Sequence, residues 1–307
     1  MPELVSIVKS GNDIRASLET GLNPFELSVK PQTPIIIKPN LCCVKTSETG
    51  ATTDPRIVEA IIEYFRARFK SELFYIVESD ATLLNADVAF QILGYNRLAQ
   101  KTGASIVNLS KVPFEKMNFQ DNLVQTKIRI PKLFQKPHFF ISVAKMKTHD
   151  MCGISATLKN VFGCNPEPRK SRYHHLLNQN IADFATAFRP SLSIVDGIIG
   201  MEGMGPIDGT PIQVGALLFG TDPVATDHAT ARVMGLNPND LKVLDICRHH
   251  DVGTFQYKLS GIDPSEARVA FRKPTSVIRK LYSSKVFKFV KTCSEATSTL
   301  VNSHGKE

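Results

Sequence analysis

The sequence predicts an α/β fold: a mostly parallel or mixed sheet with helices on both faces, long enough to form two lobes. Short β-rich apolar runs alternate with stretches of helical period, the pattern of βαβ units. Two helical stretches open on aspartate followed by proline, Asp54-Pro55 and Asp222-Pro223, a cap-then-proline helix start. Residues able to do chemistry follow directly after the apolar runs, where the carboxyl edge of an open α/β sheet would present them.

In chain order, strands are expected at Leu4–Val8, Ile35–Lys38, Leu73–Glu78, Ile106–Leu109, Phe139–Val143, Leu192–Val195 and Val214–Phe219. Helices are expected at Pro55–Phe69, with Ile57, Ile61, Ile62 and Phe65 on one face, and at Asp87–Lys101 and Pro223–Met234. Val112–Pro131 is only partly alternating and reads as an antiparallel excursion. Residues 1–271 form one α/β domain, with a lobe boundary best placed near Lys136-Pro137. Residues 272–307 form a basic amphipathic helix and a flexible tail.

A chain of 307 residues can bury one large core or two smaller ones. With 42% hydrophobic and 21% charged residues it has the composition of a folded protein. The formal charge of +8 suits an anionic partner, although a merely basic surface gives the same count. The C-terminal cations from Arg272 to Lys291 could lie on an anionic membrane as a peripheral contact; nucleic acid is disfavoured. The opening MPELVSIVKS has neither a basic start nor an apolar run, and no stretch approaches a membrane span. A cytoplasmic protein with reduced thiols is therefore expected. The cysteines include no C-x-x-C pair, so the usual iron-sulfur and zinc-ribbon spacings are missing.

Chemistry concentrates in AKMKTHDMCGISATLKNVFGCNPEPRKSRYHH, which carries Lys145, Lys147, His149, Lys159, Lys170, His174 and His175. Burial and neighbouring cations can lower a lysine pKa there. His149 is the foremost proton-transfer candidate; its alternative role is to cap a helix over Asp150–Phe162. Lys159, beside Asn160, could be an anchor, an acid/base, a Schiff-base amine or a solvated surface lysine. The glycine-rich stretch Asp196–Asp208, with Asp196, Glu202 and Asp208, reads as a loop shaped to approach a ligand. It fits neither the dinucleotide-binding nor the Walker A pattern. Lys38, Asn40 and Cys42 give the loop after the second strand a polar lining suited to an anion, although at least one of the adjacent cysteines Cys42 and Cys43 is expected in the core. Asp227 and His228 point either toward the site or toward solvent.

IIIKPNL, ATTDPRIVEAII, ISVAKMKTH, GISATLKNVFG, SLSIVDGIIGMEGMGPIDG and FGTDPVATD together resemble the DUF362 family. Some of its members are fused to iron-sulfur domains; this chain lacks the cysteines for a cluster. A partial resemblance links His149, Lys159 and His175 to nickel-pincer lactate racemases. It implies Lys159 as anchor of a pincer nucleotide, His175 as nickel ligand and His149 as acid/base. Thr157 and Leu158 stand where those enzymes carry glycines.

The expectation is an enzyme that takes a small carboxylate-bearing anion between Lys38, Asn40, Lys145, Asn160, Asp196, Glu202 and Asp208. His149, Lys159 and Lys147 would supply acid-base or metal-assisted chemistry such as racemisation or isomerisation. The alternative is a metal-binding or redox accessory protein using His149, His174 or His175 with Cys152 or Cys164.

Overall fold

Residues 3–274 are described by a computed structural model of the chain. The strands are β1 (Glu3–Lys9), β2 (Ile35–Pro39), β3 (Phe74–Glu78), β4 (Ser105–Asn108), β5 (Phe114–Asn118), β6 (Lys127–Pro131), β7 (Phe139–His149), β8 (Gly153–Ser155), β9 (Leu192–Glu202), β10 (Thr210–Gly220) and β11 (Tyr257–Gly261). The helices are α1 (Ile14–Leu22), α2 (Pro55–Phe69), α3 (Ala86–Ile92), α4 (Tyr95–Thr102), α5 (Lys132–Gln135), α6 (Thr157–Val161), α7 (Leu177–Ala187), α8 (Pro223–Val233) and α9 (Lys242–His249).

One mixed sheet runs in the order β11-β1-β10-β9-β7-β2-β3-β4, with β8 added to the end of β7. The strands β9, β7, β2, β3 and β4 are parallel, whereas β10 is antiparallel to both β9 and β1. Alternation divides the side chains between two cores. Ile35, Ile37, Ile141, Val143, Ile194 and Leu217 join the core under α1 to α4; Ile36, Phe140, Ala144, Val195 and Leu218 join the one that holds α6 to α9 residues. The chain is thus partitioned by sheet face, and the sheet continues across Lys136-Pro137, since β7 pairs in register with β2.

Both aspartate-proline starts form as expected. Asp54 accepts from Arg56 N at 2.9 Å and Asp222 from Ala225 N at 2.7 Å. The single helix expected at 87–101 is two, because Gly94 at φ +81 breaks the path between α3 and α4. Val112–Pro131 does make an antiparallel excursion, the β5–β6 pair.

Two stretches expected as loops are strand. Lys145–His149 continues β7, and Asp196–Glu202 continues β9. The glycines of β9 serve close packing of backbones: a Cβ on Gly200 would stand 2.8 Å from the Phe271 ring and 3.0 Å from Met146 O. The helix expected over Asp150–Phe162 shrinks to α6, because Gly153–Ser155 folds back as β8 against Lys147–His149. Of the expected C-terminal amphipathic helix, residues 275–307 lie outside the described residues. Arg272, Lys273 and Pro274 are not helical.

Candidate functional site

The carboxyl edge of the parallel strands collects a buried polar centre. Lys38, at the end of β2, donates to Glu78 Oε2 at 2.7 Å, Pro39 O at 3.0 Å and Asn160 Oδ1 at 3.1 Å. Asn160, on α6, turns its amide back to Lys38 O and Ser142 Oγ, both at 3.0 Å. Lys147 donates to Asn40 Oδ1 at 2.7 Å, Ala51 O at 2.8 Å and Cys42 Sγ at 3.2 Å. These contacts tie β2, β3, β7 and α6 into one cluster.

The position of α6 is fixed from α8. Asp227 accepts from Thr157 N at 2.8 Å and Leu158 N at 2.9 Å, and burial pushes its pKa up to about 7. Asp227 thereby aims the turn that carries Lys159. His228 faces away, with Nδ1 2.9 Å from Tyr257 Oη.

Lys159 is half-buried, and its amine makes no hydrogen bond or ion pair among the described residues. It stands 4.7 Å from the centre of the Phe162 ring. Burial lowers its pKa, and the Lys147 and Lys38 charges lower it further. Lys170 joins the cluster from below, donating to Ser79 Oγ and to Asp80 O at 2.8 Å, and burial with Lys38 and Lys159 lowers it to about 8. Lys38, Lys147, Lys159 and Lys170 thus gather here, and of the four Lys38 alone has a carboxylate partner among the described residues, Glu78.

The counter-charge comes from Cys42, expected in the polar lining of the loop after β2 but not as an ionised group. Cys42 is half-buried beside Lys147, with Cys43 adjacent. The Cys43 thiol hydrogen-bonded to it, and then the Lys147 and Lys159 cations, hold its pKa down to about 5 against the effect of burial. Cys43 is pushed up in turn. Neither cysteine belongs to the two hydrophobic cores. Burial raises Cys152 and Cys164 both to about 12, which disfavours their thiolates.

His149 ends β7 and is buried to 6% exposure. Its Nδ1 is 3.1 Å from Met151 N and 3.0 Å from Asp150 Oδ1. A neutral ring accepts from Met151 N–H, whereas a protonated ring would donate to Asp150. Burial, helped by Lys159 and Lys147, lowers its pKa from 6.5 to about 4, which leaves the ring neutral near pH 7. A base with a lowered folded pKa binds its proton more readily in the unfolded chain. His149 therefore makes stability fall as pH drops from 6.5 toward 4, by up to about 3 kcal/mol. Urea denaturation across that window should show this loss, reduced in a His149→Gln variant. Beside His149, a cavity of about 290 Å3 opens between Cys152, Asn178, Leu241 and Lys242.

Four other expected residues lie apart from this centre or are closed within it. Lys145 and Asp196 form a fully buried ion pair at 2.8 Å, and Asp196 also accepts from Asp54 N at 2.9 Å and Ile198 N at 3.1 Å. The pair is enclosed, with side-chain exposures of 1% and 0%. Glu202 holds Arg272, accepting from its Nε at 2.6 Å and its backbone N at 2.8 Å. Asp208 is exposed and pairs with Lys45 at 2.9 Å. The turn 203–209 between β9 and β10 covers the end of β7; a Cβ on Gly205 would stand 2.1 Å from Thr148 O.

His174 and His175 are exposed on the 3-10 turn Lys170–Leu176. His175 Nδ1 lies 3.1 Å from Arg172 O. Among the described residues no three His, Cys, Asp or Glu side chains converge as a metal site. His175, the single nickel ligand that the racemase resemblance implies, is exposed on that turn, and no chemical step is assigned to a metal.

A thylakoid-associated protein of Synechocystis is 27% identical over 295 residues, spanning 92% of this chain and 86% of that protein. A lactate racemase apoprotein structure from Thermoanaerobacterium thermosaccharolyticum aligns with a TM-score of 0.37 at 12% identity, over 80% of this chain and 56% of the racemase. Among the described residues no helix is long and apolar enough to cross a membrane. The signature of a domain of unknown function, DUF362, matches residues 35–232, and with the fold and the polar centre on that same span the chain belongs to the DUF362 family.

Proposed function

We propose that the protein is an enzyme that binds a small carboxylate-bearing anion at the lysine cluster and moves a proton at the carbon beside the carboxylate. One observation carries this reading: Lys159 brings an amine without an acceptor into a centre where, of four lysines, Lys38 alone is paired with a carboxylate. An anion there gains a charge-assisted hydrogen bond that the protein leaves open. Lys38 and Lys147 are each held by three acceptors and act as fixed positive charge.

Proton transfer falls to groups that are poised for it. Lys159, whose pKa burial lowers, and His149, whose ring burial keeps neutral near pH 7, are the first two candidates. Cys42, ionised above about pH 5, supplies a third base. Bases disposed around one carbon are what racemisation or isomerisation needs.

The test is solvent-deuterium exchange at the α-carbon of a panel of 2-hydroxy and 2-amino acids. Exchange is expected with at least one acid, falling at least about a hundredfold in Lys159→Ala and His149→Ala. Equal exchange by the variants and the wild type would sink the assignment. A second reading, a thiol-redox accessory protein without turnover, is favoured by the Cys42–Cys43 pair. It predicts no exchange with any acid, together with reversible oxidation of those two thiols.

A further inference from the structure

A second cavity, of about 180 Å3, lies between the β5–β6 pair, the 3-10 turn after Arg169, and α7. Four cations line it, Lys116, Lys127, Arg129 and Arg172, against the single carboxylate of Glu167. Arg129 and Arg172 both approach Glu167 Oε2, at 3.0 and 3.4 Å. The two lysines have no carboxylate partner among the described residues, and the pocket keeps a positive excess.

Asn165 supplies an independent sign of a ligand. It is 1% exposed and lines the cavity. Its Oδ1 accepts from Glu167 N at 3.1 Å, which fixes which end of the amide is which. Its Nδ2 is left buried with no hydrogen-bond partner. A buried donor without an acceptor is costly unless an acceptor arrives.

We infer that this pocket binds a phosphate group, as inorganic phosphate or a small phosphate monoester. The positive excess favours a dianion over a monocarboxylate. Two guanidinium forks match phosphate oxygens, and Asn165 Nδ2 offers a neutral donor at the floor. The volume is below the roughly 300–1,000 Å3 of drug-sized sites, and Tyr173 and Phe184 give an apolar wall for a short ester group. The site is distinct from the Lys159 centre: Phe162 packs edge-on against both Tyr173 and Phe184 and carries Lys159 over its own ring.

Calorimetric titration of the full chain with inorganic phosphate and with glycerol phosphate tests the inference, and comparing the two arms tells free phosphate from an ester. Saturable binding to at least one is expected. It should weaken by about tenfold or more in Lys116→Glu/Lys127→Glu, whose substitutions sit on exposed strand positions. Asn165→Asp keeps an acceptor for Glu167 N, so it should lose affinity by a similar factor while remaining folded by circular dichroism. Lys159→Ala should leave phosphate affinity unchanged. No saturable binding of either compound would overturn the proposal, as would binding that survives Lys116→Glu/Lys127→Glu but disappears in Lys159→Ala.

Discussion

Replacing Asp196 with alanine is expected to destabilise the protein by about 3–5 kcal/mol, the usual cost of stranding one member of a buried ion pair. Lys145, at 1% exposure, would lose its 2.8 Å partner. The backbone N–H groups of Asp54 and Ile198 would lose their acceptor as well. Since Asp54 caps α2 and β9 runs on through Ile198, the damage reaches the junction of α2 with the sheet. Urea denaturation measures it. A Lys145→Met/Asp196→Leu double variant should recover a substantial part, because it removes both charges together. An Asp196→Ala protein that unfolds at the wild-type midpoint would show that this pair does not hold the sheet edge.

The second large effect is chemical. A thiol held to about 5 is almost wholly thiolate at pH 6, whereas an ordinary one near 9 is about one part in a thousand ionised. The lower basicity makes each thiolate a weaker nucleophile, with a Brønsted slope of about 0.4–0.5. The two effects together leave Cys42 roughly tenfold faster than an ordinary cysteine toward iodoacetamide at pH 6. Removing the first cause, in Cys43→Ala, should take most of that advantage away, and Lys147→Met should take part of it. Site-resolved mass spectrometry against pH reads both. A Cys42 alkylation rate that climbs only above pH 8 would contradict the charge arrangement around Lys147.

Seven strands were legible as apolar runs, whereas the short β8 and the largely exposed β11 were not, and the two aspartate-proline starts marked helices whose caps form as expected. The polar centre was partly legible: Lys38, Asn40 and Lys147 were singled out by their position after apolar runs, and Lys159 and Asn160 by their place in the small-residue stretch GISATLKN. Their partners were not. Lys147 meets Asn40 and Cys42 across separations of 107 and 105 residues, so no local pattern announces that Cys42 carries the counter-charge. Glycine density misled in the other direction: in β9 it serves close strand packing, and the carboxylates Asp196, Glu202 and Asp208 each serve a different cation. The unpartnered amide of Asn165 has no sequence signature, because it depends on where Glu167 N sits.

The account turns on Lys159 being an unpaired, burial-weakened amine that waits for an anion. Nuclear magnetic resonance of protein with isotopically methylated lysines follows its titration directly. The Lys159 signal is expected to titrate below the ordinary lysine value of 10.5 and to move back up when a small carboxylate is added, as the ligand's charge favours the ammonium. An ordinary titration that no carboxylate alters would contradict the claim that this centre is a ligand site.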